Sequence, residues 1–393
     1  MLTAKERHTA LIEAMITEGT LSDPALIEAF RAVPRHRYVP GSGVLTPHGT
    51  PLNAANSPER WLSAVYTDDA VGTRVEERRL PRQRGTGRAA RRAAVARSAT
   101  SSSAAPTVLA HILEAADLAR GQRVLEIGTG TGWNTALLAH RLGDSAVTSV
   151  EVDEHLAEAA RTTLRAQGYL PAVHHADGYE GWPPDAPYDR ITSTCGVRRI
   201  PPAWLRQTRP GGLIVCPWGL LECAGVLTRV TCGRDGSAVG TFRGGVGFVP
   251  LRTPGPPCPS ARDSGQQPDE YRLTQSDPLV ALMAFPSAFA LSVMVPDWRI
   301  RQRWIGTGTG LWACDRAGRS WVRIYPYGTS WMIEQGGPRS IWDEFEDALD
   351  TWRGLSCPPP ERFGLSVDGE GVHRVWLDSP DGRSWRIGPP VRS

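Results

Sequence analysis

Apolar positions recur at helical spacing through residues 1–40. Leu11, Ile12 and Met15 form one group and Leu26, Ile27 and Phe30 a second, and Pro34 and Pro40 close the stretch, so a helical lead-in is expected. From Pro106 the pattern sharpens. Proline is tolerated in a first helical turn, and "TVLAHILEAADL" follows at a period of 3.6. "VLEIG" then reads as a strand, "WNTALLAHRLG" as a helix ended by Gly143, and "AVTSVEV" as a strand. "EHLAEAARTTLRAQGY" reads as a helix, "AVHHADG" as a strand end, "YDRITSTC" as a strand, "PPAWLRQTRPGG" as a short helix and "LIVCPWG" as a strand. Near-continuous apolar strands alternating with amphipathic helices predict an α/β fold, a mostly parallel, doubly wound sheet covered on both faces. "GVLTRVTC" and "AVGTFRGG" alternate with period two, which predicts an antiparallel edge to that sheet.

Two stretches break the pattern. Residues 74–97 hold nine arginines among alanine and glycine, with a serine run after them, and read as a loop. Residues 253–262 are proline-rich without a period and read as a boundary. Nine of the fourteen tryptophans follow that boundary, in short strand-like runs such as "SWVRIYPYG" and a hairpin turning at "SPDG". The expected organisation is therefore a lead-in and loop over 1–105, a core over 106–252 and a smaller α+β domain over 263–393. The tryptophans of that last domain fit either core packing or an aromatic groove for a peptide.

Composition narrows the picture. A net charge of +3 over 393 residues gives no global attraction for nucleic acid. Seven cysteines, with no CxxC pair and no histidine at metal spacing, argue for reduced thiols in a cytoplasm and against a metal site. Without an apolar run of about 18 residues no membrane span is expected, and the charged amino terminus does not read as a signal peptide.

The candidate chemistry lies in "RVLEIGTGTGW". Gly128, Gly130 and Gly132 form a turn between strand and helix where backbone can approach a ligand closely. Glu126 stands inside the preceding strand, where a carboxylate gains nothing beside a pyrophosphate but suits a cationic group such as the sulfonium and amino group of S-adenosylmethionine. Glu151, ending the next strand, is placed to accept from two ribose hydroxyls, and Asp177 with Gly178 to receive the adenine. Each acid alone could equally cap a helix. At the ends of three successive strands they line one crevice.

Together, "RVLEIGTGTGWNTALLA", "EVDEHLAEAA", "ADGYEGWPPDAPYDRI", "LRQTRPGGLIVCP", "FVPL" and "FRAVPRHRYVP" resemble the protein-L-isoaspartate O-methyltransferase family over about residues 20–252. The resemblance implies a Rossmann-like class I methyltransferase core. It also implies transfer of a methyl group from S-adenosylmethionine to an aspartyl or isoaspartyl carboxylate of a peptide or protein. The cofactor contacts it implies are Glu126, Gly128, Thr129, Gly130, Gly132, Glu151, Val152, Asp177 and Gly178. Family members carry a serine beside the transfer site at the position of Ala104; here Ser103 stands one place earlier, and either takes that role or, with Ser102, caps the next helix. Trp133 either covers the ligand or wedges its helix against the sheet. "TSSS", "LLAHRLGD" and the long carboxyl-terminal extension look like methyltransferases of ATP-grasp peptide maturation systems. That subtype implies esterification of an aspartate in a ribosomally made peptide, leading to a succinimide. General repair of isoaspartyl damage and a non-catalytic peptide-binding relic of the fold are the alternatives.

Overall fold

A computed structural model describes residues 2–79, 95–221, 224–247, 249–252, 267–275, 278, 282, 284–295, 298–305, 308–315 and 317–387. The centre of the arginine-rich stretch and the proline-rich segment 253–262 lie outside the described residues. The chain divides into two compact units, Met1–Thr194 and Cys195–Ser393.

The first unit opens with helices α1 (Ala4–Thr17) and α2 (Pro24–Ala32). Thr3 and Glu6 form a reciprocal cap on α1, and Asp23 accepts from Ala25 N and Leu26 N at 2.7 and 3.1 Å to start α2. A single 3-10 turn, Arg35–Arg37, follows, then the short strands β1 (Val44–Leu45) and β2 (Pro51–Leu52) and helix α3 (Pro58–Val65). β3 (Val71–Arg79) and β4 (Val95–Ser103) pair antiparallel on either side of the undescribed residues. Strand therefore occupies both ends of a stretch that reads as loop. Polar strands carry no apolar alternation, and their backbone pairing leaves no trace in side-chain pattern.

α4 (Pro106–Ala116) begins with no side-chain cap of its own. Asp68 serves its first turn instead, accepting from Thr107 N at 2.9 Å and Thr107 Oγ1 at 2.6 Å. The serines before the helix are thus left for other contacts. β5 (Val124–Ile127), α5 (Trp133–Leu142), β6 (Val147–Glu151), α6 (Glu154–Ala166), β7 (Ala172–His175) and β8 (Tyr188–Ser193) complete the unit. The four strands lie in the order β8–β5–β6–β7, all parallel, with Glu126 beside Ser149 and Glu151 beside His175. The chain leaves β5 for β6 on one side and reaches β8 on the other, so the reversal of strand order falls at β5. That is where open sheets bind their ligands, outside the carboxyl ends of the strands.

In the second unit, β9 (Cys195–Gly196) is followed by α7 (Pro202–Gln207) and the long strands β10 (Thr208–Leu221), β11 (Ala224–Cys232) and β12 (Ala238–Gly247). Short β13 (Val249–Pro250) pairs with β9 in parallel. β14 (Glu270–Thr274), β15 (Trp298–Ile305), β16 (Gly308–Asp315), β17 (Trp321–Tyr327) and β18 (Ser330–Gly336) form an antiparallel sheet in the order β14–β18–β17–β16–β15. The helix Ile341–Gly354 covers one face, bringing Ile341, Phe345 and Leu349 onto Leu311, Val322, Ile324 and Ile333. β19 (Phe363–Val367), β20 (His373–Leu377) and β21 (Ser384–Ile387) extend β10, β11 and β12 into one antiparallel run. Strands from before and after the proline-rich segment therefore share a sheet. Trp298, Trp312, Trp321, Trp342 and Trp376 are all buried, each as packing material of this unit. Among the described residues, no helix is long and apolar enough to cross a membrane.

Candidate functional site

The turn after β5 holds its shape because three glycines take the left-handed region, Gly128 at φ 92°, Gly130 at 55° and Gly132 at 87°. Gly132 also lets α5 start close to α6, since a Cβ there would lie 3.2 Å from Leu164 Cγ. The backbone of the turn is anchored to β6 through Gly128 N and Thr129 N, both donating to Val150 O at 2.9 and 3.2 Å. Thr194, just past β8, donates its hydroxyl to Gly128 O at 2.9 Å.

Glu151 ends β6 at the mouth of this turn. Its Oε2 accepts from Gly130 N at 2.9 Å and its Oε1 from Asp153 N at 3.1 Å. A carboxylate and the glycine backbone thus meet at the carboxyl ends of adjacent strands. One residue on, Val152 O lies 3.1 Å from His175 Nε2. Asp153 caps α6 through His155 N and Leu156 N, and Arg74 of β3 forms an ion pair with it. Ala176 N donates to Glu151 O at 3.0 Å, which brings the exit of β7 alongside. There Asp177 turns its Oδ1 onto Tyr179 N at 2.9 Å, and Gly178 is buried beside it.

Glu126 is placed differently. It is fully buried, and its oxygens accept from Asn134 Nδ2 at 2.8 Å, Thr135 Oγ1 at 2.5 Å and Ser149 Oγ at 2.7 Å. Thr129 Oγ1 lies 2.6 Å from Ser149 Oγ and extends the network to the glycine turn. Glu126 therefore ties β5, β6, the first turn of α5 and Thr129 into one hydrogen-bonded unit beneath the crevice. Burial pushes its carboxyl up to about 7, against the three hydrogen bonds that favour the anion, and Glu151 adds to the rise. The folded chain then holds a proton that the unfolded chain releases above an ordinary value near 4.5. The stability this provides is complete below about pH 4.5 and lost as pH rises through about 7. Across pH 5 to 8 the melting temperature of wild type should fall relative to that of Glu126→Gln in a thermal-unfolding series; a difference that does not change with pH would sink the assignment.

At the end of β4, Ser103 and Ala104 are gripped by Arg35, a residue the sequence pattern did not single out. Its guanidinium is fully buried. It donates to Ser103 Oγ at 3.2 Å, Ser103 O at 3.1 Å, Ala104 O at 2.8 Å, Val65 O at 2.8 Å and Asp69 O at 2.9 Å. The same group lies 5.3 Å from the centre of the Trp133 ring. Trp133 is itself buried edge-on to Phe30, with Nε1 donating to Val33 O at 3.1 Å. The ring thus packs between α5 and the end of α2, where the sequence alone suggested the ligand or the sheet. Two residues earlier on β4, Ser101 Oγ reaches the glycine turn, 3.9 Å from where a Cβ on Gly130 would stand, and accepts from Thr73 Oγ1 at 3.2 Å.

The residues brought together at the crevice mouth are thus Gly130, Glu151 and Ser101, with Val152 and Asp177 on the strand ends beside them. This set of acceptors and bare backbone suits a ribose diol and a cationic group, and opposes a pyrophosphate. The acidic residues were legible from their places at strand ends. Arg35 lay inside "FRAVPRHRYVP", and its role needed contacts across the fold.

Residues 88–254 match the family description "Protein-L-isoaspartate(D-aspartate) O-methyltransferase". A protein-L-isoaspartate O-methyltransferase of Anaeromyxobacter dehalogenans is 45% identical over 148 residues, 37% of this chain and 70% of that protein. The enzyme of the same name from Ignicoccus hospitalis is 33% identical over 215 residues, 54% of this chain and 82% of its own. A solved structure of a protein-L-isoaspartate O-methyltransferase, 20% identical, covers 95% of this chain and 100% of its own with a TM-score of 0.53, a likeness of fold.

Proposed function

Because this chain belongs to the protein-L-isoaspartate O-methyltransferase family, we propose that it esterifies isoaspartyl carboxylates of proteins or peptides. S-adenosylmethionine is the methyl donor, and when bound it supplies an electrophilic methyl group on a sulfonium. Glu151, with the backbone of Gly128–Gly132, would hold the ribose and methionine portions; Val152, Asp177 and Gly178 would border the adenine. Glu126 would shape the turn from below, through Asn134, Thr135 and the Ser149–Thr129 pair.

The observation that carries this reading is the meeting of Gly130 N and Glu151 at the strand ends. An acceptor carboxylate is already nucleophilic at neutral pH, so no strong base is required of the protein. Its task is to hold that oxygen in line and exclude water. The pinned Ser103–Ala104 corner gives β4 a rigid end for that purpose.

The test is incubation with methyl-labelled S-adenosylmethionine and a matched pair of peptides, one isoaspartyl and one aspartyl. Base-labile label on the isoaspartyl peptide is expected. Absence of label from both peptides overturns the reading.

A narrower acceptor, an aspartate in a crosslinked ribosomal peptide, rests on the resemblance carried by "TSSS", "LLAHRLGD" and "PPAWLRQTRPGG" and on the tryptophan-rich carboxyl-terminal extension. Against it, a solved enzyme of the broader name spans nearly the whole chain in fold, so the extension by itself does not mark a special acceptor. Label confined to a macrocyclic aspartyl peptide would favour the narrower acceptor.

A further inference from the structure

Three serines, Ser101, Ser102 and Ser103, close β4 ahead of Ala104, and the structure separates them; Ser102 lies on the opposite face of the strand from Ser101 and Ser103. Ala104 has no hydroxyl. Ser103 is buried with its Oγ engaged by Arg35 Nε at 3.2 Å, while Arg35 also grips the Ser103 and Ala104 carbonyls. Its side chain belongs to the clamp. Ser101, two residues back along the strand, turns its Oγ to the glycine turn, 3.9 Å from the position of a Cβ on Gly130.

The hydrogen bond that Ser101 makes has a direction. Thr73 Oγ1 donates and Ser101 Oγ accepts, at 3.2 Å. Among the described residues, nothing is bonded to the Ser101 proton, so that proton is available to a further acceptor. Thr73 and Ser101 are both buried, and β3 pairs with β4 along this stretch, Gly72 facing Ser102 and Arg74 facing Ser101. The hydroxyl is therefore held by a paired strand at a fixed distance from the donor turn. Gly130 N is committed to Glu151, which marks the donor side of the crevice.

We infer that Ser101 presents the hydroxyl that holds the reacting carboxylate, with Thr73 as the residue that positions it; this rests on the functional reading above. The shift from Ala104 to Ser101 moves the hydroxyl from the corner of the strand to its paired part. No bond is made or broken by Ser101. It donates one hydrogen bond to the carboxylate oxygen that does not attack, leaving the other oxygen aligned for transfer.

The test compares wild type, Ser101→Ala, Ser101→Thr and Thr73→Val with the isoaspartyl peptide, alongside calorimetric titration with S-adenosylhomocysteine. Ser101→Ala should lower kcat/KM for the peptide about 10- to 100-fold, the loss of one hydrogen bond to a charged group. Its affinity for S-adenosylhomocysteine should stay within about twofold of wild type. Ser101→Thr should recover part of the rate, and Thr73→Val should lose about 3- to 10-fold through misplacement of the Ser101 hydroxyl. Wild-type kinetics in Ser101→Ala, or a loss confined to S-adenosylhomocysteine affinity, overturns the assignment. Should Ser101→Ala fail to fold, Thr73→Val decides, since wild-type kinetics there overturns the positioning. An inactive wild type overturns the functional reading itself, a result distinct from an active wild type indifferent to Ser101.

Discussion

Glu151→Ala is expected to weaken S-adenosylhomocysteine binding by about 100-fold. On the proposed reading the carboxylate accepts from both ribose hydroxyls, and hydrogen bonds to a charged group contribute about 1.5 kcal/mol or more each. Two of them amount to roughly 3 kcal/mol, a factor of about 100 in affinity. The carboxylate also receives Gly130 N and Asp153 N, so its removal frees the turn that must cradle the methionine portion. Glu151→Gln keeps an acceptor oxygen but loses the charge, and should cost about tenfold. Calorimetric titration measures both. Affinity within threefold of wild type in Glu151→Ala would remove Glu151 from the cofactor site, and with it the geometric basis for the reading.

Arg35→Met should destabilise the first unit by about 3–5 kcal/mol. Methionine fills much of the volume but donates nothing. The carbonyls of Val65, Asp69, Ser103 and Ala104 would lose a buried donor together, and each buried polar group left unsatisfied costs about 1–3 kcal/mol. Burial already pulls the guanidinium down to about 10, partly offset by Asp68 and Asp69, so the charge is held there by hydrogen bonds at a desolvation cost. Arg35→Lys should recover little, because one ammonium cannot reach carbonyls arranged around a planar fork. Urea unfolding followed by far-ultraviolet circular dichroism would show the loss as a lower midpoint at unchanged slope. A midpoint within the range of an ordinary surface substitution would show that the corner at Ser103 and Ala104 holds itself.

The two residues differ in how readable they were. Glu151 could be found without a structure. A strand followed by a glycine turn and a helix, then a second strand ending in an acid, places that acid at the crevice of an open sheet by topology alone. Gly128, Gly130 and Gly132 were readable in the same way, because only glycine takes those dihedral angles without strain. Arg35 could not be assigned a role. Its partners lie about 30 and 70 positions away in the chain, and an arginine after a proline reads as surface charge until the elements close around it.

Glu126 stands between these cases. Its place in β5 is set by the local pattern, and that place alone suited a cationic ligand. The structure adds Asn134, Thr135 and Ser149, three donors that converge only when α5 and β6 pack beside β5. The serine run shows the same division. Residues 101–103 are equivalent as sequence, and the pairing of β3 with β4 is what turns Ser101 to the donor turn and gives Ser103 to Arg35.

Periodicity and turn chemistry are local properties, and they determined the alternating strands and helices, the glycine turn and the acids that follow the strands. Tertiary structure decided which hydroxyl faces the crevice, which carboxylate is spent inside the network, and how strands from both sides of the proline-rich segment join one sheet. Those outcomes depend on hydrogen bonds between groups far apart in the chain, whose partners are chosen only when burial leaves them no water to bond instead.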